Sequence, residues 1–141
     1  MDLSYEEKSI LGSLLAVAVV FGYYFASVLR DMNRPDFNGA SLPLGRLVLA
    51  VIVIVVIEIV YHILVALGSK PEPKDERDNL IACKAYRNAY FLLAAGIFFV
   101  MSAVMLEVKP FLTVNLVLFV MVAAELMKFL TQLFYYRRGL R

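Results

Sequence analysis

The chain has 141 residues, 62% of them apolar and only 18% charged, and its mean hydropathy is +0.77. That balance excludes an ordinary soluble domain and assigns the chain to a bilayer. The formal charge of +2 is too small to point to direct nucleic-acid binding, and the single cysteine, Cys83, excludes an internal disulfide, a Cys-x-x-Cys redox pair and a Cys/His zinc array.

The N-terminus carries Asp2, Glu6 and Glu7 where a secretory signal carries bases, so no cleaved signal is expected. Ser4 and Glu7 have capping-box spacing and predict a helix start. The first span, residues 9–29, is uncharged and of the length needed to cross about 30 Å of hydrocarbon. Within it Ala18, Gly22 and Ala26 recur every fourth residue, a stripe of small side chains that lets another helix approach closely. Packing inside one subunit and a homodimer face are both open to it. Residues 30–46 hold two prolines, two glycines and an Asn-Gly pair, and read as a loop with turns.

The second span, 47–67, opens with eleven apolar residues rich in Val and Ile. A lone strand would leave its backbone unpaired in lipid, so a helix is expected. It carries Glu58, with Tyr61 and His62 one turn further on the same face. A breaker at 68–73 follows. Asp75 is then a helix N-cap with Glu76 and Asp78 in the first turn, and Lys84 and Arg87 follow on the next turns. This charged segment, 75–88, leads into the third span, 89–107. A short connection, 108–114, precedes the fourth span, 115–135, where Glu125, Lys128 and Gln132 lie on one stripe. Tyr135, Tyr136, Arg137 and Arg138 end it as interfacial anchors.

Nine Lys and Arg residues fall on the side of the N-terminus, the middle segment and the C-terminus (Lys8, Lys70, Lys74, Arg77, Lys84, Arg87, Arg137, Arg138, Arg141), against four on the other (Arg30, Arg34, Arg46, Lys109). Both termini are therefore expected in the cytoplasm, in a multi-pass inner-membrane protein. A faint internal repeat relates Leu47-Val48-Leu49 and Glu58 to Leu116-Val117-Leu118 and Glu125, giving two helical hairpins.

A charged side chain at the bilayer centre costs roughly 2.5–3.5 kcal/mol, so Glu58, Tyr61, His62, Glu125, Lys128 and Gln132 are expected to turn inward and meet in one polar cluster at mid-depth. A structural network, in which Glu58 pairs with His62 and Glu125 with Lys128, is one reading. A proton-coupled site is another. A third makes Glu58, His62 and Glu125 ligands of a divalent metal, or His62 a haem ligand, although one imidazole is a thin basis and no cofactor is expected. No catalytic signature is present: there is no His-Glu-x-x-His, serine nucleophile or paired aspartates.

Asp75-Glu76-Arg77-Asp78, Ile81, Lys84-Ala85, Arg87 and the closing Tyr135-Tyr136-Arg137-Arg138-Gly139 resemble the pattern of a family of small prokaryotic four-span membrane proteins whose function is uncharacterised. The resemblance covers about residues 75–138. It implies a cytoplasmic motif at Asp75, Glu76, Arg77, Asp78, Lys84 and Arg87. It also implies a role in sensing, or in tethering a small DNA-binding regulator at the membrane. Small multidrug exporters share the four spans, but their membrane glutamate lies in the first helix, which is uncharged here. The expectation is thus an all-α four-helix membrane bundle, non-enzymatic, acting through the 75–88 segment. The alternative is a proton-coupled transporter or channel built on Glu58 and Glu125 as a dimer.

Overall fold

The computed structural model describes residues 4–39, 44–68 and 75–139. Asp2, the bulk of the 68–73 breaker, Lys70, Lys74 and Arg141 lie outside the described residues. Within them the chain forms four helices and no strand: α1 (Tyr5–Met32), α2 (Leu44–Gly68), α3 (Glu76–Met105) and α4 (Pro110–Arg138). All four are long and apolar enough to cross a membrane. The protein is an all-α, multi-pass membrane protein made of two helical hairpins.

Each helix starts for a local reason. Ser4 Oγ accepts from the Glu7 amide at 3.2 Å while Glu7 Oε2 accepts from the Ser4 amide at 3.0 Å, which satisfies two otherwise orphaned donors. Asp75 and Asp78 form the same reciprocal box at the start of α3, at 2.7 and 3.2 Å. Pro110 occupies the first turn of α4, where its missing N–H costs nothing. Both connections on the loop side are tighter than expected, because α1 runs on to Met32, α2 begins at Leu44 and α4 begins at Pro110. The turn between α3 and α4 is closed by Glu107 at φ 55°, a left-handed conformation in a residue that carries a side chain.

The helices pack in the spatial order α2, α1, α4, α3. Neighbours in that order touch, whereas α2 meets neither α4 nor α3, and α1 does not meet α3. The α1–α4 contact thus has no counterpart between α3 and α2, so the faint repeat does not extend to the packing. At the centre, α1 buries Ile10, Ser13, Val17, Phe21, Tyr24 and Val28 at steps of three or four, an inward stripe at the helical repeat. Phe111, Val122 and Ala50 complete that core from α4 and α2. Helix α2 buries one residue, Ala50, and apart from Arg46, Glu58, Tyr61 and His62 it is apolar all round, as a largely lipid-facing helix is.

The small-residue stripe requires a correction. Ala18, Gly22 and Ala26 are exposed, and a Cβ on Gly22 would meet nothing within 4 Å, so they do not pack inside the subunit. They lie on the side of α1 away from its buried stripe. The close approaches occur instead at Gly12, where a Cβ would overlap the Tyr61 ring, and at Gly96, where it would overlap Val120 of α4.

Candidate functional site

The ends of the helices fix the depth of each polar residue. Arg30, Asp31, Arg46 and Lys109 crowd the loop end and mark one membrane surface. Counting about 30 Å along the helices at 1.5 Å per residue puts the other surface near Ile10 of α1, Tyr86 of α3 and Leu130 of α4. The start of α3 and the end of α4 therefore project beyond the hydrocarbon. The Tyr24–Asn115 level gives a second gauge. Ser13 lies about three turns from Tyr24, and Leu126 about three turns from Asn115, so Ser13 and Glu125 share a level. Because Glu58 bonds to Ser13, Glu58 and Glu125 lie at a similar level along the bundle.

They share a depth but not a site. Glu58 Oε2 accepts from Ser13 Oγ at 2.7 Å and lies 3.2 Å from His62 Nε2. His62 Nδ1 is 3.3 Å from Ser9 Oγ. With the proton on Nε2, His62 donates to Glu58 and Ser9 donates to His62, a continuous chain across the α1–α2 seam. Glu58 Oε1 is buried and has no hydrogen-bond partner. Tyr61 Oη donates to the Lys8 carbonyl at 2.6 Å while its ring lies over Gly12. Ser9 and Ser13 were legible only as two hydroxyls one turn apart in an apolar run.

Glu125 and Lys128 form their own ion pair on α4. The Lys128 ammonium also sits 4.5 Å from the Phe129 ring centroid and 5.6 Å from that of Tyr86. Gln132, one turn on, is half-buried. The expected single cluster is therefore two, because α1 stands between α2 and α4. Glu58, His62 and Glu125 do not converge, and no three metal-ligating side chains come together among the described residues.

A third polar contact escaped the sequence reading. Tyr24 Oη donates to Asn115 Oδ1 at 2.9 Å, and Asn115 Nδ2 donates to the Phe111 carbonyl at 2.7 Å. Both residues are buried, at 3% and 6% exposure, so this is the clamp between α1 and α4. The signal for it was a lone amide at the head of an apolar run. At the loop end an Arg46–Asp31 ion pair ties α2 to α1.

Beyond the terminal-side surface, the 75–88 segment is bound to the end of α4. Tyr136 Oη donates to Asp78 Oδ1 at 2.8 Å, Arg77 reaches the Tyr136 carbonyl at 3.5 Å, and the Lys84 ammonium lies 5.0 Å from the Tyr135 ring centroid. Ile81 and Ala85 between them are fully buried. Glu76 and Arg87 point outward, as do Arg137 and Arg138 at the end of α4. Partial burial alone would raise the Asp78 carboxyl, but the bonds from Tyr136 and from the Asp75 amide, with Arg77 nearby, outweigh it and hold the pKa below the usual range. Burial, and then the bond to Asp78 and its charge, push the Tyr136 phenol up.

The sign of the pH effect follows. Asp78 titrates lower in the folded chain than in the unfolded one, so its stabilisation is complete above the unfolded pKa and is lost as pH falls through the folded value. Tyr136→Phe keeps the ring and removes the bond, at an expected cost of about 1 kcal/mol at neutral pH. Melting curves of the wild type and the variant in detergent between neutral and acid pH check this. The gap should close as Asp78 protonates, and a gap that persists in acid assigns the loss to packing.

Fold and polar contacts define a small polytopic membrane protein with a side-open helix arrangement and a charged terminal end. The chain matches no protein-family model, no curated protein and no solved structure.

Proposed function

We propose that this is a non-enzymatic inner-membrane sensor or tether, whose 75–88 segment presents a surface to a small soluble regulatory protein in the cytoplasm. The observation that carries the reading is the bond from Tyr136 to Asp78, with Arg77 and Lys84 engaged beside it. These contacts join the start of α3 to the end of α4 and hold the motif in one conformation. Recognition from a preorganised surface avoids the ordering cost that a loose loop would meet on binding. With the inner side of the motif occupied, Glu76, Arg87, Arg137 and Arg138 are among the charges turned outward. The excess of Lys and Arg on that side supports a cytoplasmic orientation.

The test is affinity capture of the full-length protein from its own membranes. A soluble protein should co-purify with the wild type and be lost from Glu76→Lys combined with Arg87→Glu, variants that leave the Asp78–Tyr136 bond intact. A wild-type preparation that captures no soluble protein at low salt overturns the reading.

A further inference from the structure

We propose that the cleft between α2 and α3 holds one tail of a zwitterionic aminophospholipid, with the lipid ammonium on the Glu125 carboxylate and the phosphate on the Lys128 ammonium. The cleft exists because α2 and α3 do not meet across α1 and α4. It has a volume of about 460 Å³, within the range of sites that take small ligands. Val51 and Ile54 of α2 face Leu93 of α3 over a floor that includes Phe21, Leu118 and Val122, all apolar. One end alone is polar, where Glu125 and Lys128 stand beside Tyr86.

This is the shape of an amphiphile. From Leu118 to Lys128 the floor runs about 15 Å along α4, long enough for much of an extended acyl chain. Glu125 and Lys128 lie about 22 and 27 Å along α4 from Pro110, close beneath the terminal-side surface near Leu130. A lipid seated with its head there and its tail directed into the cleft keeps the orientation that it has in the bilayer. Neither partner has to move to a foreign depth.

The charges select the headgroup. Glu125 and Lys128 are paired, with side chains 52% and 16% exposed, so the carboxylate is the more open of the two. A purely anionic head would confront that carboxylate, and a purely cationic one the ammonium. A head that carries both signs meets its opposite at each. A primary ammonium further gives the half-exposed carboxylate N–H donors, which a quaternary ammonium lacks, and charge-assisted bonds of this kind are the strong ones. A carboxylate so near hydrocarbon gains from every donor that replaces water.

The experiment is native mass spectrometry of the full-length protein released in mild detergent from vesicles of phosphatidylethanolamine, phosphatidylcholine and phosphatidylglycerol with identical tails. One phosphatidylethanolamine per chain should be retained in preference to the other two. Glu125→Gln should weaken that retention about tenfold or more, the loss expected for one charge-assisted bond. Ile54→Trp, which fills the cleft, should abolish it, and Val51→Trp serves the same purpose if a melting curve shows that the first variant does not fold. Equal retention of all three lipids, a preference for phosphatidylglycerol, or retention unchanged in a folded tryptophan variant overturns the proposal. So does a lipid-free dimer whose α2–α3 cleft is closed by a second copy.

Discussion

Gly96→Ala should lower the stability of the protein in detergent by about 1–3 kcal/mol, the usual cost of adding a methyl group to a tight helix contact. The added Cβ would stand 3.1 Å from the Cβ of Val120 and overlap both of its methyl groups. Valine has a single strongly preferred side-chain rotamer in a helix, so Val120 cannot turn aside, and α3 and α4 would have to separate. That contact is the most extensive between any two helices here. Val120→Ala in the same chain should restore most of the loss, since the two changes share one gap and couple strongly. Thermal or denaturant unfolding of the four chains of the cycle measures it. Equal loss in the single and double variants would assign the effect to lipid contact, since the change from Gly to Ala by itself favours the helix. Gly12 presents the contrasting case. There the obstacle is the far end of the Tyr61 ring, a flexible side chain that can swing away, so Gly12→Ala costs mainly the Tyr61 bond to the Lys8 carbonyl.

Tyr24→Phe should cost about 1–2 kcal/mol and loosen α1 from α4. The variant keeps the ring, which packs edge-on to Phe25 at 5.4 Å, but leaves Asn115 Oδ1 buried without its donor. Hydrogen bonds between membrane helices average about 0.6 kcal/mol, and this one sits at the upper end because its acceptor has no water to turn to. Asn115→Leu combined with Tyr24→Phe removes both polar groups and should recover much of the loss, as replacing both partners does. Unfolding of each chain in the same detergent checks the order. If the double variant proves weaker than Tyr24→Phe, the pair does more than satisfy itself.

The number of helices, their approximate spans, the Ser4–Glu7 capping box and the Asp75 N-cap were legible in the sequence, because hydropathy, span length and cap chemistry act over a few residues at a time. The local pairs Glu58–His62 and Glu125–Lys128 were legible for the same reason, since i,i+4 and i,i+3 spacing is fixed by the helix itself. Which helices would meet was not. Glu58 and Glu125 lie on helices that run in the same direction, and the cost of burying charge predicts that each finds company but not which. Ser13 and His62 supply it for Glu58, and Lys128 for Glu125. The stripe at Ala18, Gly22 and Ala26 left two readings open, and only packing inside the subunit is set aside. Small side chains permit a close approach without requiring one, and the inward face of α1 was set by Val17, Phe21, Tyr24 and Val28 on its other side. The charged motif showed its cap in sequence, but its tie to Tyr136 spans 58 residues and needed the fold.

Helix α2 buries Ala50 alone, and its polar fastenings lie at Arg46 near one end and at Glu58, Tyr61 and His62 toward the other. In water, peeling such an element away would expose oily surface and be resisted; in a bilayer, acyl chains cover that surface as well as α1 does. Attachment of this outer rod is therefore governed by a few directional bonds instead of by area.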